Sequence, residues 1–242
     1  MTQMPPLALL AGGLATRLRP LTEKIPKSML EVGGAPFIAH QLRLFRRKGI
    51  SRVVICAGFL GNMIEDFVGD GAHFDLSVSY SFDGEAPLGT GGALKKAESL
   101  LGGEFLVAYG DSWLNTDYAA VVEAFRKNRK PALMTVFRNE NAWDTSNVEF
   151  DGAAIRRYDK QDRTPEMHFI DWGMGVLRPD AFAQWTNTAA FDLADVYRRL
   201  VEQSDLAGYE VTERFYEIGS HAGLSETDAL FRQISADISL TP

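Results

Sequence analysis

The chain has 242 residues, 45% of them hydrophobic, and a formal net charge of −7 at pH 7. This length and hydrophobic content suffice for one substantial core, as in a single α/β domain, whereas the acidic charge argues against a general nucleic-acid-binding protein. The lone cysteine, Cys56, excludes a disulfide within the chain, and its apolar neighbours predict a buried core residue.

Apolar strand patterns alternate with helical patterns over the first half of the chain. The predicted strands are 7–11, 52–57, 77–81 and 105–109. The predicted helices are 36–48, 61–68, 91–101 and 117–130. This alternation is typical of a largely parallel sheet with right-handed crossovers. In such sheets ligands bind beyond the carboxyl ends of the strands.

The second half has a different pattern, with more strands in succession. The predicted strands are 131–138, 147–150, 153–158 and 169–177, and the predicted helices are 193–203 and 224–234. Asp151-Gly152 predicts a hairpin turn between two of the strands. We therefore expect a Rossmann-like α/β fold with a mostly parallel, mixed central sheet flanked by helices. We expect one domain, 1–242, with halves at about 1–130 and 131–242.

Two adjacent glycines follow the first predicted strand, and cationic residues follow the glycines. Gly12 and Gly13 lack a Cβ, so backbone N–H groups can approach an anion closely. Arg17 and Lys27 can then neutralise phosphate oxygens. The P-loop pattern and the dinucleotide-binding G-x-G-x-x-G are both missing from the sequence. A tight turn with solvated cations is the alternative that two glycines alone leave open.

The glycine loop belongs to two longer motifs. Residues 12–22 follow G-G-x-G-T-R-L-x-P-L-T, and residues 26–36 follow P-K-x-M-L-x-V-G-G-x-P. Both motifs resemble those of the sugar-1-phosphate nucleotidyltransferases. The first departs at Ala15, where the family pattern has glycine. Because a Cβ there narrows the space or restricts φ, we expect slightly altered loop geometry rather than loss of function.

The resemblance implies the nucleotide-diphospho-sugar transferase type of fold, Mg²⁺ as cofactor, and an NTP and a sugar 1-phosphate as substrates. It implies catalytic roles for Arg17, Lys27 and Asp111, with Arg17 on the outgoing pyrophosphate and Lys27 also on the sugar phosphate. The nucleotide-binding residues that it implies in the first loop are Leu10, Ala11, Gly12, Gly13, Thr16 and Arg17.

Two acidic residues are the candidate metal ligands. Asp111 follows the predicted strand 105–109, and a carboxylate at a strand's carboxyl end is a suitable ligand for Mg²⁺. An Asx-type turn is the alternative for Asp111. Glu217 stands where the family's D-I-G-T/S segment has aspartate, so its extra methylene demands more room or an intervening water. A surface glutamate is the alternative for Glu217.

The segment 88–94 resembles the family's P-L-G-T-x-G-A-L, which implies nucleotide contacts at Gly89, Thr90 and Gly91. A glycine-rich helix N-terminus is compatible with this role. Just before it, Glu85 offers a carboxylate that can accept guanine N1–H and N2–H₂, a pair of donors that uracil and cytosine lack. Glu85 therefore favours GTP.

Further along, the resemblance implies a sugar-phosphate contact for Lys160, with pairing to Asp159 or exposure to solvent as the alternatives. Asp171 and Trp172 are candidates for contacts with sugar hydroxyls and a sugar face, with an ordinary strand position as the alternative. None of the four histidines has zinc-ligand spacing, and His40 is expected to be structural.

Among the branches of the family, the motifs are most similar to those of heptose 1-phosphate guanylyltransferases, which supply activated sugars for surface polysaccharides. Uridylyl- and cytidylyltransferases remain competing interpretations. Two hypotheses come from other classes of protein. Gly110-Asp111-Ser112 resembles an esterase block with Ser112 as nucleophile, although the Asp-x-x-His spacing of that family occurs only earlier, at Asp70 and His73. A non-catalytic sugar-nucleotide-binding protein is the other hypothesis, favoured by Ala15 and Glu217.

The sequence also indicates where the protein resides. No Lys or Arg precedes Arg17, whereas a signal peptide begins with positive charge. No window approaches the ~20 apolar residues of a membrane span. We therefore expect a cytoplasmic protein that contacts no membrane and no nucleic acid, and the sequence leaves homo-oligomer formation open.

Overall fold

A nine-stranded mixed sheet forms the centre of the described part of the chain. The computed structural model describes residues 3–186 and 190–239. The strands are β1 Leu7–Ala11, β2 Glu31–Val32, β3 Ala35–Pro36, β4 Arg52–Ala57, β5 Ser77–Phe82, β6 Phe105–Tyr109, β7 Ser112–Trp113, β8 Ala132–Arg138, β9 Val148–Phe150, β10 Ile155–Tyr158, β11 Phe169–Leu177, β12 Leu206–Val211 and β13 Tyr216–Glu217. The helices are α1 Phe37–Arg47, α2 Gly61–Val68, α3 Gly89–Leu101, α4 Tyr118–Asn128, α5 Leu193–Glu202 and α6 His221–Ser239.

The strand order of the main sheet is β10-β9-β11-β6-β1-β4-β5, and β8 pairs with both β11 and β12. Strands β1, β4, β5 and β6 are mutually parallel. Strand β11 is antiparallel to both β6 and β8, and β12 is parallel to β8. The carboxyl ends of β8 and β12 therefore lie at the same edge of the sheet as those of β1 and β6.

Helices cover both faces of the sheet, as the residues of β1 demonstrate. Leu7 and Leu9 belong to one apolar cluster, which includes side chains of α1, α2 and α4. Ala8 and Leu10 belong to another, which includes side chains of α3 and α5. Because successive side chains of a strand point to opposite faces, a strand with apolar residues at every position needs both faces buried.

The fold class predicted from the sequence is confirmed, and the predicted elements differ from the observed ones mainly at their ends. Strand β12 and the two-residue strands β2, β3, β7 and β13 were not predicted from the sequence. In β12, the central Gly208 interrupts the apolar pattern that predicts a strand, because glycine is unfavourable in a strand interior. The glycine has a packing reason: a Cβ added at Gly208 would clash with the ring of Phe150.

Two short strands, β13 and β7, pair antiparallel outside the main sheet, with Glu217 opposite Ser112. This pairing carries the segment before α6 to the carboxyl end of β6. Within the described residues, the helices are all too short or too polar to traverse a lipid bilayer.

Candidate active site

A cavity of about 470 Å³ opens at the carboxyl ends of the parallel strands. Strand β1 contributes Leu10 and Ala11 to its lining, β4 contributes Cys56, and β6 contributes Tyr109. The loop after β1 forms one wall, from Gly12 to Thr16. The cavity therefore lies where an open α/β sheet ordinarily binds its ligand.

The glycines of the loop after β1 allow close packing against the turn after β4. A Cβ added at Gly12 would lie 3.2 Å from Asp83 Oδ2 and 3.3 Å from the Gly58 nitrogen. A Cβ added at Gly13 meets no atom within 4 Å, so Gly13 faces open space. Gly12 is thus needed for packing, whereas the backbone at Gly13 is free for approach by a ligand.

Ala15 has φ +48° and ψ +41°, in the left-handed region. Its carbonyl accepts a hydrogen bond of 2.8 Å from Thr22 Oγ1, which ties the loop together. The left-handed conformation costs a residue with a Cβ about 1–2 kcal/mol. The loop therefore holds Ala15 in a conformation that the glycine of the family pattern would adopt without this cost.

Lys27 and Asp111 form an ion pair at the wall of the cavity. Lys27 Nζ lies 2.6 Å from Asp111 Oδ2, and the two side chains are 20% and 25% exposed. Lys27 begins a short 3₁₀ turn at 27–29 directly after the buried Pro26. The two residues are 84 positions apart in sequence, and the fold brings their opposite charges together.

The turn after β6 presents Asp111 to the cavity. Its Oδ1 accepts a hydrogen bond of 3.1 Å from Ser112 Oγ, and its backbone carbonyl accepts one of 2.9 Å from the Ile218 N–H. Because the hydroxyl of Ser112 donates to a carboxylate rather than to an imidazole, it lacks the base partner that an esterase nucleophile needs. Among the described residues, this contact gives no support to the esterase hypothesis.

Glu217, Arg17 and Asp111 converge on Gly219. A Cβ added at Gly219 would lie 2.6 Å from Glu217 Oε2, 3.3 Å from Arg17 Nη2 and 3.4 Å from Asp111 Oδ2. Glu217 accepts hydrogen bonds from the Gly219 N–H and, at 2.6 Å, from Ser220 Oγ. The longer side chain of this glutamate therefore folds back onto the N-terminus of α6.

This donor set fits Mg²⁺. Within the described residues no cluster of three or more His, Cys, Asp or Glu side chains could hold a metal, so a protein-only cage is not formed there. Mg²⁺ instead takes one or two carboxylates together with substrate phosphates and water. Asp111 and Glu217 supply two carboxylates with hard oxygen donors, and Gly219 leaves the space beside them free of a side chain.

Asp83 is the acidic residue that lines the cavity after β5, and sequence reasoning missed it. Its Oδ2 accepts a hydrogen bond of 3.3 Å from the Leu88 N–H. Burial raises the pKa of this carboxyl, opposed by the Leu88 N–H and the charge of Lys96. Glu85 is exposed and does not line the cavity. Because β5 ends at Phe82, one residue later than predicted, the first residue beyond its carboxyl end is Asp83.

Gly89 and Thr90 line the cavity, but Gly91 does not. The Gly91 and Gly92 N–H groups donate to the Phe191 carbonyl, at 3.0 and 3.1 Å. A Cβ added at Gly91 would clash with the Phe191 ring. The glycine at 91 therefore serves the contact between α3 and the segment before α5, and the structure does not bring it to the cavity.

Asp192 also lines the cavity and was missed. It caps α5, with its side chain and that of Asp195 forming a capping box. It also accepts hydrogen bonds of 3.3–3.4 Å from the hydroxyl and N–H of Thr90. The spacing Asp192–Asp195 before an apolar helical pattern was a signal for a helix start, but gave no indication that it reaches the cavity.

The remaining predicted sugar-side residues lie off the cavity lining. Asp171 accepts hydrogen bonds of 3.1 Å from the Tyr158 hydroxyl and 3.0 Å from the Gly173 N–H. Lys160 is exposed, with its ammonium 5.9 Å from the centre of the Tyr158 ring. Trp172 is 1% exposed and its indole N–H donates to the Glu213 carbonyl at 2.7 Å. The prediction of a sugar contact for Trp172 is wrong, because its ring fills the core.

Two further residues have structural roles. Cys56 lies at the cavity wall with its thiol buried, and burial, with the charge of Asp83, raises its pKa to about 12. It therefore stays protonated and unreactive. His40 is half-buried, its Nε2 is 2.7 Å from the Val32 carbonyl, and its ring packs against Phe231.

The fold and the cavity define an α/β protein whose ligand site lies at the carboxyl edge of a mostly parallel sheet. The profile of the Nucleotidyl transferase family matches residues 8–233, so the chain belongs to that family. This confirms the resemblance that the loop motifs indicated.

The chain is similar to curated proteins, and in fold to a solved structure, over most of its length. It is 29% identical over 230 residues to the N-acetylmuramate alpha-1-phosphate uridylyltransferase of Neisseria meningitidis serogroup B, covering 92% of this chain and 96% of that protein. It is 24% identical over 214 residues to the D-glycero-alpha-D-manno-heptose 1-phosphate guanylyltransferase of Campylobacter jejuni, covering 87% and 93%. The structure of UDP-glucose pyrophosphorylase from Acinetobacter baumanii superposes with a TM-score of 0.78 at 18% identity, covering 97% and 99%.

Proposed function

We propose that this protein transfers a nucleotidyl group from an NTP to a sugar 1-phosphate and releases pyrophosphate. The observation that carries the proposal is the Lys27–Asp111 ion pair at the wall of the cavity that the glycine loop also lines. A cation that handles phosphate and a carboxylate that ligates metal must both stand at the reacting phosphorus. Family membership and similarity to two such enzymes over nearly their full lengths also support this activity.

In the proposed reaction, an oxygen of the sugar 1-phosphate attacks the α-phosphorus in line. A new P–O bond forms, the bond to the β-phosphate oxygen breaks, and its electron pair leaves with pyrophosphate. The attacking phosphate is already anionic, so no general base is required. Such chemistry requires mainly positioning and charge stabilisation from the protein.

Each cationic residue has a distinct task in this proposal. Lys27 draws the two anions together, because a point charge tolerates the movement of oxygens during displacement. Arg17 and the loop amides of Gly12, Gly13 and Thr16 hold the β- and γ-phosphates. Asp111, with Glu217, would hold Mg²⁺, which when bound neutralises charge on the triphosphate.

We propose GTP as the preferred nucleotide, on the evidence of Asp83 rather than Glu85. The partly buried Asp83 carboxylate accepts one long hydrogen bond of 3.3 Å, so it has room to accept further donors from a ligand. Guanine presents two adjacent donors, N1–H and N2–H₂, whereas uracil and cytosine do not. Tyr109, Gly89 and Thr90 provide further surface for the base and ribose.

The sugar proposed is a heptose 1-phosphate, with the product destined for capsule or lipopolysaccharide synthesis. The motifs of this branch and the similarity to the Campylobacter jejuni enzyme support it. Residues 1–130 would bind the nucleotide, and residues 131–242 would bind the sugar phosphate through Lys160 and Asp171. A uridylyltransferase is the second candidate, because the Neisseria meningitidis relative is more similar in sequence.

The test is a matrix of the four NTPs against heptose, mannose, glucose and N-acetylmuramic acid 1-phosphates, measured by pyrophosphate release with Mg²⁺. We expect GTP with heptose 1-phosphate to have the highest kcat/KM. We expect Asp83→Asn to reduce the preference for GTP over UTP by about tenfold, since a site built to hydrogen-bond a donor pair rejects a base that lacks the pair.

Three results would contradict parts of the proposal. A higher kcat/KM for UTP or CTP overturns the guanine preference, and a different sugar overturns the heptose assignment. Tight nucleotide binding without pyrophosphate release from any pair of substrates overturns the enzymatic activity and favours a non-catalytic sugar-nucleotide-binding protein.

A further inference from the structure

A buried glutamine lies behind the turn that carries Asp111. Gln41 is on the inward face of α1 and is 1% exposed. Its Nε2 donates two hydrogen bonds of 2.9 Å, to the carbonyl oxygens of Tyr109 and Ser112. These two carbonyls bracket Gly110 and Asp111. Since a carbonyl oxygen can only accept, the NH₂ group of the amide must face both, which fixes the orientation of the side chain.

The other end of the Gln41 side chain indicates why a polar residue stands here. Within the described residues, its Oε1 is buried without a hydrogen-bond partner. A buried acceptor without a partner is unfavourable. The α1 neighbours Ile38 and Leu42 are fully buried apolar residues, so an apolar side chain would suit the position better for packing alone. The two donated hydrogen bonds are therefore the reason that the position can carry an amide.

The Asp111 turn is held from two other directions by backbone. The Gly110 N–H donates to the Leu10 carbonyl at 2.8 Å, which ties the turn to the end of β1. The Ile218 N–H donates to the Asp111 carbonyl at 2.9 Å, which ties it to the residue after Glu217. Gln41 adds the third attachment, to α1, and it holds both peptide groups that flank the turn.

We infer that Gln41 is a positioning residue that sets the direction in which the Asp111 carboxylate leaves the turn. With both flanking carbonyls held, the peptide planes at 109–110 and 112–113 cannot rotate, and Asp111 stays within 2.6 Å of Lys27 and beside Glu217. Its effect on catalysis rests on the proposed function, whereas its effect on the turn does not. Residues that orient metal ligands typically change metal affinity or activity by about 10- to 100-fold when mutated.

The test uses Gln41→Met in the full chain. Methionine keeps the length and nearly the volume of the side chain but has no donor, and it removes the unpartnered acceptor. The matched control is Thr135→Val on β8, whose hydroxyl donates to the Met174 carbonyl at 2.7 Å and is fully buried. Gln41→Met thus loses two buried side-chain-to-carbonyl hydrogen bonds and Thr135→Val loses one, and only the bonds of Gln41 reach the Asp111 turn.

Three measurements separate positioning from general stability. Hydrogen–deuterium exchange of the peptide containing 109–113 is measured on metal-free protein. Mn²⁺ affinity in the presence of GTP is measured by electron paramagnetic resonance. The Mg²⁺ dependence of pyrophosphate release is the third. For Gln41→Met we expect faster exchange at 109–113, Mn²⁺ binding weakened by about 10- to 100-fold, and a higher Mg²⁺ concentration at half-maximal rate. For Thr135→Val we expect wild-type values in all three.

Wild-type exchange and wild-type Mn²⁺ affinity in Gln41→Met would overturn the inference, as would equal changes in Thr135→Val. If Gln41→Met does not fold, Gln41→Asn, which keeps the amide but is one methylene too short to reach both carbonyls, takes its place. Failure of both to fold while Thr135→Val folds would show a role in folding alone and overturn the inference. If the wild-type protein releases no pyrophosphate from any substrate pair, the proposed function fails, and exchange and Mn²⁺ binding still decide the role of Gln41.

Discussion

The two halves of this molecule contribute residues to the cavity in different ways. In the first half, the parallel strands β1, β4, β5 and β6 end side by side, and the residues at or just after their ends line one cavity. In the second half, β11 runs antiparallel to its neighbours, and Asp171 is engaged by Tyr158 and Gly173 instead of lining the cavity. That half reaches the site through two segments, one at Asp192 and one at Glu217.

Sheet geometry alone brings residues together only where the strands are parallel. Consecutive parallel strands present their carboxyl ends at one edge, so a residue just after each strand reaches the same place. Where strands alternate in direction, individual contacts between segments determine which residues reach the cavity. Two such contacts are the hydrogen bond between Thr90 and Asp192 and the pairing of β13 with β7.

The largest effect is expected from a substitution of Asp111, after the central parallel strand β6. Asp111→Asn removes the charge that pairs with Lys27, so we expect a loss in kcat of at least about 100-fold, or about 2.7 kcal/mol in the barrier. The fold should persist, since a partly exposed ion pair contributes only about 0–1 kcal/mol. Pyrophosphate release and thermal melting measure the two effects. Full activity at saturating Mg²⁺ would remove Asp111 from the site.

Removing the partner of Asp111 has the next largest expected effect. Lys27→Ala should reduce kcat/KM at least tenfold, about 1.4 kcal/mol, because the positive charge between the two reacting anions is lost. Lys24→Ala is the matched control, since Lys24 is a nearby exposed lysine of the same loop. An equal loss in both variants would indicate a general effect of charge rather than a position in the site.

A smaller effect is expected at Asp171, which belongs to the second half of the chain. If Asp171 accepts a hydrogen bond from the sugar, Asp171→Asn should raise KM for the sugar 1-phosphate about fivefold, the equivalent of about 1 kcal/mol for one hydrogen bond. KM for the nucleotide should not change. Steady-state kinetics with each substrate varied in turn separates the two constants. Unchanged values for both would assign Asp171 to the fold alone.

The smallest expected effect concerns the backbone of the first loop. Ala15→Gly relieves the left-handed strain at φ +48°, but glycine also gains about 0.4–1 kcal/mol of conformational freedom in the unfolded chain. Because these terms oppose each other, we expect a change in Tm within about 4 °C and a change in nucleotide KM below about threefold. A large gain in activity would show that the Cβ of Ala15 obstructs the phosphates.

The sequence was sufficient for the fold class and for the placement at the cavity of residues that closely follow a predicted strand. Gly12, Gly13 and Asp111 are such residues. A run of apolar residues predicts the strand, and the residues that follow it must lie at its carboxyl end. Asp83 was missed because Glu85 was selected by its position just before the 88–94 motif, whereas the carboxylate that lines the cavity follows β5 directly.

Other residues could not be predicted because their roles depend on contacts between distant segments. Gln41 occurs among apolar positions of α1, and nothing nearby in sequence indicates that its amide faces carbonyls some 70 residues away. Gly91 matched a motif, yet its neighbour in space is Phe191. Trp172 fits an alternating strand pattern, but only the packing of both sheet faces decides which face of the strand is covered.

We expect the Asp111 carboxylate to meet a metal ion and the phosphates of a nucleotide in this cavity. A crystal of the protein with Mn²⁺ and a non-hydrolysable GTP analogue, measured at a wavelength that gives manganese anomalous scattering, tests it most directly. We predict an anomalous peak at about 2.1 Å, a distance typical of carboxylate coordination, from an Asp111 oxygen, with the triphosphate against Gly12 and Gly13. A nucleotide bound with its metal remote from Asp111 would contradict the account.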